Sequence, residues 1–187
     1  MSEQKEINYG PLLGLVGEWK GDRGIDVAPE PDDTERNPYY ETIVFEPAGD
    51  VDNAETQNLT FLRYHQKVYR KSNDEQFHDQ VGYLSWDAAT GAITNSYVIP
   101  RGVGVVAEGK VIAEEGKKIT IKVDVAESDK ALGIAQSAFM RDNAETKAFT
   151  QTYVLDGDEM SYEERTLLQI YGREFDHVDK SKLTRVK

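Results

Sequence analysis

The chain contains no cysteine. Thiolate nucleophiles, cysteine-bound zinc, iron–sulfur clusters and disulfides are therefore excluded together. Positive charge is scarce, with 22 Lys and Arg against 34 Asp and Glu, a formal net charge of −12. A field of that sign repels phosphate backbones and anionic lipid surfaces, so neither nucleic acid nor membrane is expected as a partner. No apolar run approaches membrane-spanning length, and the opening MSEQKEINYG lacks the basic segment and apolar core of a signal peptide. The expected compartment is the cytoplasm. Phosphate-cradling glycine loops, zinc-type histidine spacing and any spacing that would assemble a Ser–His–Asp set are missing too. Chemistry is left to His, carboxylates, Tyr, Arg or a bound cofactor.

What is present is a globular composition in which 39% of residues are hydrophobic and ten Tyr, six Phe and two Trp are spread from end to end. A length of 187 residues suits one domain, 1–187, with a sizeable core. The dominant period is two. YYETIVFE (39–46), LTFLRYHQKVYR (59–70), FHDQVGYLSWD (77–87), AITNSYVI (92–99), KITIKVDV (118–125), KAFTQTYVL (147–155), MSYEERTLLQIY (160–171) and KLTRV (182–186) read as strands, rich in β-branched and aromatic residues. DAATG, EEGK and LDGDE supply hairpin turns between them, so neighbouring strands pair antiparallel. A short turn around Gly10 to Val16 is the only helical piece expected.

Eight to eleven such strands must dispose of two sheet edges, and closing the sheet removes both. The expected fold is all-β, an up-and-down antiparallel barrel of about ten strands, of lipocalin or fatty-acid-binding-protein type. A Greek-key sandwich is the alternative. The polar segments DVAPEPDDTERNP (26–38) and AGDVDNAETQN (48–58) read as loops at a barrel mouth.

The chain has three histidines. His78 lies in a strand whose two faces, one with Leu84 and Trp86 and the other with Phe77, Val81 and Tyr83, are similarly apolar, so alternation leaves its side open. His65 sits between Arg63 and Lys67 on one face and reads as solvated. His177 comes just before the last expected strand, with Asp176 and Asp179 nearby. Either acid would orient the ring as a metal ligand, or keep a surface corner soluble. The acidic pairs Glu163/Glu164 and Asp32/Asp33 read as solvated charge.

LLGLVGEWKGDRG, FHDQVGYLSWD, VIPRGVGVVAEG and FDHVDKSKLTRV, in this order over nearly the whole chain, resemble the nitrobindin-like family of heme-binding, fatty-acid-binding-protein-like β-barrels. The resemblance implies a ten-stranded barrel with an apolar cavity for a porphyrin. It implies heme b held by His177 as the metal ligand and His78 as a pocket residue, with Gln80 where the family usually has Glu. Nitric oxide binding and isomerisation of peroxynitrite to nitrate would follow. Gly17, Trp19 and Gly21 match the family's Gly-Trp-Gly motif, with Trp19 plugging a barrel end; the Arg23, Gly24 and Pro-rich continuation departs from it and implies a remodelled rim. Family habit also suggests a homodimer. The non-heme alternative is a carrier of a fatty acid or another small apolar molecule, with Arg101, Arg141, Arg165 or Arg185 pairing a carboxylate head group. A barrel centre wholly filled by side chains is the remaining reading.

Overall fold

The computed structural model describes residues 7–54 and 56–187. A 3-10 turn over Gly10–Leu15 leads into eleven strands. They are β1 (Gly17–Pro29), β2 (Thr34–Ala54), β3 (Gln57–Arg70), β4 (Gln76–Asp87), β5 (Ile93–Ile99), β6 (Val103–Glu115), β7 (Lys118–Ala126), β8 (Gly133–Gln136), β9 (Ala144–Asp156), β10 (Glu159–Ile170) and β11 (Arg173–Arg185). The short helix α1 (Ala138–Asn143) separates β8 from β9. Every pairing is antiparallel, consecutive strands are neighbours over most of the wall, and β5 pairs with β6 to close the sheet. β8 pairs with the first residues of β6 on the side where β7 pairs with its last. The two therefore share one position, and the wall is a closed ten-stranded barrel.

Inward residues alternate with outward ones, as in β9, where Phe149, Gln151, Tyr153 and Leu155 are buried. The end of the barrel nearest the 3-10 turn is solid. Trp19, Ile43, Phe45, Leu62, Tyr64, Leu84, Ile93, Tyr153, Leu155 and Met160 fill it, and Leu12 and Leu15 of the 3-10 turn cap it from below. Each such side chain contributes roughly 1.5–3 kcal/mol on burial. Trp19 is fully buried, donates from Nε1 to the Leu15 carbonyl at 2.7 Å, and carries the Arg185 guanidinium 4.2 Å above its ring. It plugs this end as the sequence suggested.

Several expectations need correction. The segments read as loops at 26–38 and 48–58 are mostly strand, because β1 runs to Pro29, β2 fills 34–54 and β3 starts at Gln57. These ribbons are exposed over most of both faces, so no apolar period marks them. Only the first lies at the cavity mouth; the β2–β3 turn is at the opposite end. α1, β6 and β8 were not anticipated as elements, and β1 was not among the segments read as strands. His177 does not precede the last strand but lies within it, since β11 begins at Arg173.

One irregularity positions the site. β1 carries one extra residue opposite β2 between Gly21 and Gly24, with Asp22 and Arg23 facing the single Tyr40, so the buried face switches from 19 and 21 to 24, 26 and 28. Gly24 is required here, because a Cβ would meet the Tyr39 ring at 1.9 Å. Asp26 and Ala28 are thereby turned inward.

Candidate ligand-binding site

The upper half of the barrel is hollow, with a cavity of about 540 Å³. Its collar is apolar: Val68 from β3, Phe77 from β4, Ile99 from β5, Val103 from β6, Met140 from α1 and Leu168 from β10. A bulge in β4 leaves Phe77 without an opposite residue on β3 and brings Gln76 and Phe77 both to the rim. Arg70 and Arg101 stand at the same level, Arg70 lying 4.9 Å over the Phe77 ring. α1 roofs the opening. Ser137 caps it by accepting from Met140 N at 3.3 Å, and is fastened to the β5–β6 turn by Oγ donating to the Arg101 carbonyl and N donating to the Gly102 carbonyl.

Below the collar the lining is polar, and a directed chain of hydrogen bonds runs across the barrel between the cavity and the solid end. Gln80 Nε2 donates to Tyr64 OH at 2.8 Å, Tyr64 OH to Asn95 Oδ1 at 3.0 Å, Asn95 Nδ2 to Gln151 Oε1 at 2.8 Å and Gln151 Nε2 to Glu164 Oε2 at 2.9 Å. With its amide committed, Gln80 presents Oε1 to His78 Nε2 at 3.2 Å. His78 must therefore donate from Nε2. A second set joins Tyr39, Tyr162 and Gln66 to the buried Glu41, whose Oε2 accepts from Gln66 at 2.7 Å and from Tyr162 at 2.9 Å.

His177 and His78 line this one cavity with Asp26, Glu164 and Asp179. His65 does not; it points outward to Asp79 at 3.1 Å, as expected of a solvated position. His177 Nε2 donates to Asp26 Oδ1 at 2.7 Å and lies 3.6 Å from Asp179 Oδ2. Of the two acids considered as its orienting partner, Asp179 is near, whereas Asp176 faces outward to Arg165. Asp26, 151 residues away in sequence, is the hydrogen-bonding partner. Asn37 of β2 also donates to Asp26, at 3.1 Å, and Asp26 is 4% exposed.

Burial alone would lower the His177 pKa, but the hydrogen bond to Asp26 and the charges of Asp179, Asp26 and Glu164 outweigh it and raise it. Burial pushes Asp179 up to about 7 although His177 opposes it. Burial and the charge of Asp179 push Glu164 up to about 8, and burial pushes Glu41 up to about 7 against the bonds from Gln66 and Tyr162. His78 is lowered by burial and by the charge of His177, against the bond to Gln80. Glu164 is thus not solvated charge, whereas Glu163 is, pairing with Lys180 on the outer surface. Among the arginines considered for a head group, Arg101 lines the cavity, while Arg165 pairs outward with Asp176 and Arg185 serves the solid end. Arg70, Asp26 and the polar floor carried no sequence spacing that could have revealed them.

A closed barrel, solid at one end and hollow beneath a helical roof at the other, defines a ligand-binding β-barrel. The model of the THAP4-like, heme-binding beta-barrel domain matches residues 8–185, and the chain belongs to that family. The nitrobindin-like resemblance of its motifs agrees. The crystal structure of Rv2717c from M. tuberculosis is similar in fold, with a TM-score of 0.70 and 22% identity, covering 96% of this chain and 100% of that one. No curated protein matches the chain. Among the described residues, no helix is long and apolar enough to cross a membrane.

Whether the residues suit the family's heme turns on the histidines. A ring nitrogen that ligates iron must carry a free lone pair. His177 Nε2 bears a proton directed at Asp26, and His78 Nε2 bears one directed at Gln80. The cavity offers space and an apolar collar, but as arranged its donors do not fit a heme ligated through Nε2 of His177.

Proposed function

We propose that the protein binds a small molecule with an apolar body, taken between the collar and the roof with its polar end on the hydrogen-bonding floor. The observation that carries this is the division of a single cavity of about 540 Å³ into an apolar upper wall and a polar base, the pattern of sites that hold small molecules in a fixed orientation. A fatty acid suits it with its carboxylate at the rim, where Arg70 and Arg101 supply the positive charge of the lining. Ferric heme on His177 is the reading that the family description favours, and both histidines line the cavity. Ligation through Nε2 requires His177 to leave Asp26, and nitric oxide binding and peroxynitrite isomerisation depend on that iron.

The test is native mass spectrometry of the purified protein beside an Ala28→Trp variant, whose indole would occupy the cavity. The expected result is a bound apolar small molecule on the wild type, absent from a variant that still melts cooperatively. Wild type that carries no such molecule and takes up none from a panel of fatty acids and neutral apolar compounds would defeat the proposal.

A further inference from the structure

We propose that Asp26 determines which ligands the cavity accepts, its carboxylate holding Nε2 of His177 and barring that nitrogen from a porphyrin iron. Four observations converge on this residue. The β1 bulge and Gly24 turn Asp26 inward where unbroken alternation from Trp19 would have turned it out. Its carboxylate is fixed from both flanking strands, by His177 at 2.7 Å and by Asn37 at 3.1 Å. Asp179, its direct cross-strand partner, stands 3.6 Å from the same ring nitrogen. His78 offers no equivalent Nε2, because the directed amide chain makes it a donor to Gln80.

Iron ligation through Nε2 of His177 would have to break a charge-assisted hydrogen bond and leave a carboxylate that is 4% exposed with Asn37 as its remaining hydrogen-bonding partner. A penalty of that kind weakens binding by about ten- to a hundredfold. The inference shares with the proposed function only the location of the cavity. Its test reads ligation of iron, whereas failure of the carrier reading would appear as the absence of an apolar cargo.

The experiment is hemin titration of the wild type, Asp26→Ala, His177→Ala and the Asp26→Ala/His177→Ala double variant, followed by Soret absorbance and electron paramagnetic resonance. Wild type and His177→Ala should give the same spectrum. Asp26→Ala should bind hemin about ten- to a hundredfold more tightly than wild type, with a histidine-ligated spectrum that the double variant loses. A wild-type spectrum that depends on His177, or a folded Asp26→Ala protein with no gain, would overturn the proposal. If Asp26→Ala does not fold, nitrogen-15 NMR of wild-type His177 decides. A protonated Nε2 that persists with stoichiometric hemin supports the role of Asp26, and its loss on hemin addition refutes it.

Discussion

Glu163 and Glu164 are adjacent in β10 and meet opposite fates. Glu163 faces water and Lys180 at 2.6 Å, while Glu164 faces the cavity floor and accepts from Gln151. Burial holds the Glu164 carboxyl protonated up to about pH 8. Between the ordinary carboxyl pKa and that value, the folded chain keeps a proton that the unfolded chain has released, so this group's contribution falls as pH rises through the window. Glu164→Gln keeps an acceptor for Gln151 and cannot ionise. The variant should match wild type at pH 5 and be more stable at pH 9 by at least about 1 kcal/mol, or about 2–4 °C in melting temperature. Equal melting temperatures at pH 9 would show that Glu164 ionises in the folded protein without cost. The adjacent pair read as surface charge because sequence places the two residues on opposite faces without saying which is inside.

Among the elements, β1 departs furthest from what its sequence displays. Its two halves present opposite parities to the core, joined by the bulge at Asp22 and Arg23. Alternation carried past Gly21 puts Asp26 outside, and the prolines beyond it suggest a loop. Gly24→Ala tests the device, since the added methyl must displace the Tyr39 ring, whose hydroxyl is bonded to Tyr162 at 2.7 Å. The expected loss is about 1–3 kcal/mol in urea unfolding, as for other overpacked cores; a loss below about 0.5 kcal/mol would mean that Tyr39 moves aside freely. β4 and β10 were more legible as strands because each keeps a covered face. Even there, the side on which His78 points was settled only by the register, which places His78, Gln80, Leu84 and Trp86 inward.

For the whole molecule, the barrel was readable from period-two strands, short turns and the need to remove sheet edges. Its cavity was not, because the residues that form it come from strands far apart in sequence. Asp26 and His177 meet through the β1–β11 pairing, which joins the first strand to the last and leaves no local trace. The titrating interior has a collective consequence. Glu41, Glu164 and Asp179 all hold protons more tightly when folded, and His177 does the same. All four contributions are present at low pH and are lost as pH rises through the folded pKa values. His78, lowered by burial, opposes them, because its ring takes up a proton more readily when unfolded. The net charge of −12 adds self-repulsion in the same direction as the four. The urea midpoint should therefore be higher near pH 5 than near pH 8. A midpoint at pH 8 equal to or above that at pH 5 would mean that the floor carboxyls are ionised in the native state.

The packed lower half of the barrel separates persistence from cargo. Trp19, Phe45, Tyr64 and Tyr153 anchor strands whose upper ends are free to vary, so exchanges at Ala28, Val68, Ile99 or Leu168 alter the occupant while the foundation stays intact. A barrel of this kind can drift from one guest to another by single steps at its rim without passing through an unfolded ancestor. Related chains compared strand by strand should then diverge most above the amide chain and least below it.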